Sequence, residues 1–443
     1  MRIVIDTTRH ILLNIILVSL FVLVVVLVIA YARGYRLNPQ EGTITSTGIL
    51  SINSSPKAAK ILLNGVLEGA TDTNLTLPFG TYTVEVQKEG YTSWKKTVSL
   101  KGEIVMSLNA NLFSKNPSLT PLTNLGVARA IAVGTTDRIL LVTESGDVEK
   151  DGMYLFEPSS QPLTIFPPLK LLILKSLLPE NIDMKKAEVV FDPTFKRAMV
   201  TMSDIEDETT RSYLISLDEQ NLELFDVSDS KEDIVMAWQA ESNREMLKVL
   251  ETLPKAMHKV ATDSFSLISL SPDEKKLLYV AKTDATIPLI IDPPLIGASQ
   301  TGEKRAISKG RVYVYDKKED KNFEVPLSTV FEIPADKPTP TPVANSDTLS
   351  GTPTPTPAQV VHPELEKELR KQVMWYPTSD YLVIKEKTQI TTIQYDGGNK
   401  ATVYAGPFEP EYFGVSGDAN LMVVINLNPK VNPLGDLYSV GIR

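Results

Sequence analysis

The sequence predicts a mainly β protein that opens with a transmembrane helix, continues through a small β-sandwich and ends in a β-propeller of five to seven blades with a helical insertion. Three observations support this. An uncharged apolar run lies near the N-terminus, short alternating strands with glycine and asparagine turns follow it, and from Arg129 onward a unit of strand, polar turn and strand recurs.

With 443 residues, 42% of them hydrophobic and 22% charged, the chain can bury two or three cores. The net charge of −9, without any basic run, argues against nucleic acid as a partner. The absence of cysteine removes disulfides, thiolate metal sites and thiol nucleophiles together. Such an exported chain suits a bacterial surface.

Residues 1–10 are expected to form a cytoplasmic tail. The span 11–32 holds 22 uncharged residues, with Asn14 and Ser19 as its strongly polar members. A helix of that length extends roughly 33 Å and crosses a bilayer core, so the lipid bilayer is an expected partner through residues 11–32. Arg2, Arg9 and His10 precede the span, Arg33 and Arg36 follow it, and Tyr31 and Tyr35 suit an interface. The expected arrangement is single-pass in the cell membrane, with the N-terminus cytoplasmic and the C-terminal bulk outside. The rival reading is a cleaved signal peptide ending at Ala30-Tyr31-Ala32, against which the length of the apolar run argues.

Residues 33–46 read as a juxtamembrane linker, and a β-domain is expected over 47–113. Gly48–Asn53 alternates, Asn64-Gly65 is a two-residue hairpin signal, Thr81–Gln87 alternates again, and Gly90-Tyr91 turns toward Trp94. Leu50, Ser55-Pro56, Asn64-Gly65, Gly69, Thr71, Leu77, Pro78-Phe79-Gly80-Thr81-Tyr82, Val84, Gly90-Tyr91 and Trp94 together resemble the PEGA domain. That resemblance implies a β-sandwich-like surface module of bacterial type. The eponymous tetrapeptide is altered to Pro56-Lys57-Ala58-Ala59. Tyr82, Tyr91 and Trp94 are expected to fill a small core, the alternative being a carbohydrate platform on Tyr91 and Trp94.

The propeller-like domain is expected over 117–443. Its units are centred on Ala130–Phe156, Glu188–Phe225, Ser266–Val325, Val373–Tyr395 and Tyr412–Val440. The Ser271-Pro272-Asp273 turn resembles the blade motif of WD40-like and TolB-like propellers. Two insertions interrupt the repeat. Residues 231–261 carry Trp238, Met246, Val249, Leu250 and Leu253 at helical spacing, a stripe expected to pack on its own domain. Residues 334–363 contain two Thr-Pro runs and read as a disordered, exposed loop, with a short helix over Glu364–Lys371 after it. A ring of this kind needs its last strand to meet its first, so residues between Leu119 and Val133 are expected beside Leu421–Ile442.

No catalytic, cofactor or metal residue is assigned. The three histidines, His10, His258 and His362, support neither a Ser-His-Asp set within the strands nor a metal pair. The acidic run Asp204–Glu208 lacks the alternating oxygen ligands of a calcium loop. The sequence thus points to a non-enzymatic surface protein binding a protein, peptide or glycan of the cell envelope. The alternative is a propeller-based hydrolase or lyase with carboxylates near the axis, and a sensor ectodomain is disfavoured by the short cytoplasmic tail.

Overall fold

The structure is a computed structural model. It describes residues 2–32, 35–38, 43–147, 149–158, 168–179, 181–204, 206, 209–334, 359–430 and 433–443. The chain divides into two compact units, the first Met1–Leu112 with Ile296–Gln300, the second Phe113–Leu295 with Thr301–Arg443.

Helix α1 spans Arg2–Ala32. Its stretch Leu13–Ala32 has mean hydropathy 3.2 and no buried residue, so one N-terminal helix is long and apolar enough to cross a membrane. A single-pass anchor and a signal sequence share this property. Side chains such as Phe21, 66% exposed, are not covered by protein among the described residues.

Two four-stranded sheets follow in the first unit. One pairs Thr43–Ser55 with Tyr35–Asn38, with Thr73–Pro78 and, in parallel, with Val105–Asn111; the other runs Val66–Ala70, Lys60–Leu63, Gly80–Gln87, Trp94–Leu100. Alternation sets the core: Trp94, Val98 and Leu100 face in on one strand, and Met106, Leu108 and Ala110 on another. Asn64-Gly65 makes the expected two-residue turn, with φ of 51° and 86° and Leu63 paired to Val66. Trp94 is only 1% exposed, which places it in the core and removes it as half of a carbohydrate platform. Within the same unit Gln300 caps the edge strand at Ser99, accepting from its N–H at 2.6 Å and donating to its carbonyl at 2.9 Å.

The second unit holds five four-stranded antiparallel sheets among its described residues. Sheet I is Val127–Ala132, Ile139–Thr143, Gly152–Phe156 and Leu169–Leu174; sheet II is Glu188–Phe191, Arg197–Ser203, Thr210–Ser216 and Phe225–Asp226. Sheet III is Phe265–Leu270, Lys276–Ala281, Val312–Asp316 and Lys321–Glu324, and sheet IV is Val373–Trp375, Tyr381–Lys385, Ile390–Gln394 and Ala401–Tyr404. Sheet V is Phe413–Val415, Leu421–Ile425 and Asp436–Gly441, completed by Ser118–Pro121 from the start of the unit. Leu119 pairs with Val440 and Pro121 with Tyr438, and Val127 N–H donates to Gly435 at 2.7 Å. This is the expected closure. Consecutive meander sheets joined first to last are the propeller arrangement, because closure leaves no long sheet edge open.

Apolar side chains fill the spaces between sheets. Leu140, Val142 and Leu155 meet Val200, Met202 and Ile215 between sheets I and II. Leu278, Val280 and Val314 meet Leu382, Ile384 and Ile393 between sheets III and IV. Leu141, Tyr154 and Phe156 meet Met422, Val424 and Leu437 between sheets V and I. Near sheets IV and V, Phe113 sets its ring edge-on to Tyr376 and Tyr381, at 5.4 and 5.3 Å.

Between sheets II and III the chain inserts α2, Lys231–Glu251, and α3, Lys255–Ser264. Leu250, Leu253, Met257 and Ala261 pack with Phe265, Leu277 and Tyr313 of sheet III, as the apolar stripe predicts. Sheet II reaches α2 through the Arg197 guanidinium, 6.0 Å from the Trp238 ring, and through Glu188, 3.4 Å from Lys231.

Residues 335–358 of the Thr-Pro insertion lie outside the described residues. Its last part differs from an exposed loop. Val360, Val361 and His362 are buried, Val361 pairs in parallel with Leu267 on the free edge of sheet III, and Asn243 of α2 accepts from the N–H groups of Val360 and Val361 at 2.7 and 3.2 Å. A Val-Val pair beside an unpaired strand edge is better buried than solvated. Helix α4, Pro363–Arg370, then sets Leu365 and Leu369 into the core between sheets III and IV.

Candidate functional site

The turns joining the first and second strands of the five sheets share one construction. Their closing N–H to carbonyl bonds are Thr136 to Val133, Phe195 to Asp192, Glu274 to Ser271, Ser379 to Tyr376 and Ala419 to Ser416, all 2.8 to 3.1 Å. In four of them the donor is a left-handed non-glycine residue: Phe195, Glu274, Ser379 and Ala419, with φ from 55° to 70°. Asp, Ser or Pro occupies the turns of sheets II to V, where such side chains hold the tight backbone locally, and the sheet I turn is Val133-Gly134-Thr135-Thr136. Asp192 Oδ1 accepts from Lys196 and Arg197 N–H at 2.8 and 2.9 Å, and Ser271 Oγ donates to Asp273 at 2.6 Å.

A cavity of about 510 Å³ opens among four of these turns. Sheet I contributes Thr135, Thr136 and Asp137; sheet III contributes Ile268 to Pro272 and Glu274; sheet IV contributes Val373 to Trp375 and Pro377; sheet V contributes Val415 to Gly417. Met246 of α2 and Arg370 of α4 complete it. Innermost strands and their turns thus converge from separate sheets, which puts the cavity at the propeller axis. The turn of sheet II is absent from the lining, and its Phe195 ring instead lies where a side chain on Gly134 would go.

Arg370 ties the site together. Its Nη1 donates to the Gly134 carbonyl of sheet I at 2.9 Å, while Nε and Nη2 both meet Glu366 Oε1, at 2.8 and 2.7 Å. Trp375 lines the cavity with its indole N–H buried and without an acceptor. Burial pushes the Tyr412 hydroxyl far above its ordinary range, and the neighbouring Asp137 carboxylate adds to that.

One wall, between sheets III and IV, is pinned by charge. Buried Lys276 lies 4.0 Å from Asp273, 3.8 Å from Asp380 and 4.6 Å from the Tyr395 ring. Burial raises the Asp273 carboxyl, but the Ser271 hydroxyl, the Lys275 N–H and Lys276 together bring it down to about 2.

Of the residues singled out in the sequence, Tyr82 and Tyr91 stay half-buried where a core position was expected, only Trp94 of the three entering the core, and His362 also changes character. It is buried, with Nδ1 2.7 Å from the equally buried Ser266 hydroxyl. This Ser-His pair lies outside the cavity lining and reads as a packing hydrogen bond. Among the described residues no group of His, Asp and Glu could hold a metal ion. Asp137, Glu274, Arg370 and Trp375 were not marked as site residues by the sequence. The recurring turn could have drawn attention to Asp137 and Glu274, whereas nothing local marks Met246 or Arg370, which arrive from helices.

A search of curated proteins finds no match. Similar solved structures include a putative TolB from Agrobacterium tumefaciens, 9% identical over 70% of this chain and 81% of that one, with a TM-score of 0.17. A protein of unknown function from Bacteroides thetaiotaomicron is 10% identical over 86% and 78%, with a TM-score of 0.16. A eukaryotic initiation factor is 9% identical over 85% and 81%, with a TM-score of 0.18. The propeller assignment therefore rests on the sheet order and its closure. Residues 47–116 match the family model of the PEGA domain, so the chain contains a PEGA domain, with an N-terminal apolar helix before it and a propeller-type β-domain after it.

Proposed function

We propose that this chain is a non-enzymatic cell-surface protein, anchored by α1 with its bulk outside the cytoplasm, whose propeller binds a protein, peptide or glycan of the envelope. The observation that carries the reading is the axial cavity, a concave site built from four sheets with apolar walls and a few polar groups, as ligand sites generally are. Fold alone would not support it. The test fills the cavity: in full-length protein held in detergent, Met374→Arg should abolish retention on immobilised envelope extract while leaving the thermal unfolding profile unchanged. Retention that survives in a folded Met374→Arg protein would move the binding site elsewhere.

A carboxylate hydrolase or lyase is the second reading, favoured by one observation: Asp137 and Glu274 come from different sheets into the same cavity. It predicts turnover of a bound ligand that Glu274→Gln abolishes without loss of binding.

A further inference from the structure

The charges around the axial cavity do not balance. Arg370 is already ion-paired: its Nε donates to Glu366 Oε1 and its Nη1 to the Gly134 carbonyl, while Nη2 lies 2.7 Å from the same Oε1 without a hydrogen bond. Asp137 and Glu274 both line the cavity, and among the described residues neither has an ion-pair partner. The site therefore carries uncompensated negative charge. Its apolar lining is made by Met246, Ile268, Leu270, Val373, Met374 and Trp375. Two methionines in such a wall give it an adaptable surface, because the unbranched thioether side chain refits around different shapes.

Building on the binding-site reading above, we propose that this cavity takes an extended peptide presenting one apolar side chain beside a lysine or arginine. The apolar side chain enters the methionine-lined wall, and the cation meets Asp137 and Glu274. An anionic ligand would face two carboxylates, and the cation in the lining, Arg370, is already ion-paired with Glu366. A neutral glycan would leave those carboxylates without a counter-charge and find a single aromatic face to stack on, that of Trp375.

The full-length protein in detergent micelles is titrated with a library of N-acetylated, C-amidated hexapeptides, alongside a panel of defined cell-wall oligosaccharides. The library should select an apolar residue flanked by lysine or arginine. In the Asp137→Asn/Glu274→Gln double variant, shown to be folded by its unfolding profile, affinity for the selected peptide should fall about tenfold and its salt dependence should shrink. The same peptide with norleucine in place of lysine should bind both proteins equally. Met374→Arg, which leaves the carboxylates in place, should abolish binding of both peptides. Selection of acidic or wholly neutral peptides, or equal affinity in the double variant, overturns the proposal. Oligosaccharide binding that Met374→Arg removes, with no peptide selected, overturns the peptide assignment and leaves the binding-module reading standing. Binding of neither class at the cavity overturns both. Release of the selected peptide as fragments would support the peptide assignment while overturning the non-enzymatic reading.

Discussion

At the scale of single residues, close backbone approach and turn geometry make the sharpest predictions. A Cβ on Gly152 would lie 2.2 Å from the Ile173 carbonyl oxygen of the neighbouring strand, and backbone cannot move aside as a side-chain tip can. Gly152→Ala should therefore destabilise the second unit by about 3 kcal/mol, the upper range of overpacking costs. Gly146, with φ of 92° and nothing near its Cβ position, is a control whose alanine variant meets only the left-handed backbone penalty of roughly 1 kcal/mol. Denaturant midpoints of the two variants check the difference. Asp273 gives a pH prediction. Its carboxyl sits at about 2 against an ordinary 3.8, so the stability it contributes is complete above about pH 4 and is lost as pH falls toward 2. Asp273→Asn should be less stable than the parent at pH 6, and the gap should close on acidification to pH 2. A gap that stays constant with pH would show that the Ser271 and Lys276 contacts do not act through the charge.

At the scale of elements, the helical insertion takes the place of direct sheet-to-sheet packing. Leu250 is fully buried where α2 meets sheet III, while Glu245 on the same helix is exposed and is bonded to Lys248. Leu250→Ala should cost about 2–5 kcal/mol and Glu245→Ala well under 1 kcal/mol, measured by chemical denaturation. Equal effects would mean that the helices pack loosely and that sheet III is held by its strands alone.

At the scale of the whole molecule, the second unit depends on a strand that comes from its own beginning. Without Asp436–Gly441, the strand Ser118–Pro121 loses its partner and Leu421–Ile425 becomes an open edge. Truncation before Asp436 should consequently lower the stability of all five sheets in one transition; hydrogen exchange that fell only in sheet V would refute cooperative closure. The apolar helix offers a separate test. Deleting residues 1–32 should turn a detergent-requiring protein into a soluble one with unchanged β-sheet content, and a mature full-length protein beginning at Arg33 would identify the helix as a cleaved signal.

The sequence by itself determined what repeats locally. Apolar length made Leu13–Ala32 a spanning candidate, period-two alternation placed strands such as Trp94–Leu100, and Asn64-Gly65 set its turn, since each depends only on neighbours in the chain. The first strands of all five sheets were legible for the same reason. The outer strands Leu169–Leu174 and Ala401–Tyr404 were not, because an edge strand is fixed by its partner more than by its own pattern. Only the tertiary structure decided that Val360–His362 leave the Thr-Pro insertion to cover a strand edge, and that Met246, Arg370, Asp137 and Glu274 share one cavity. Those residues are far apart in sequence, and the energy that brings them together comes from closing the ring of sheets, a contact between the two ends of the unit that no local pattern encodes.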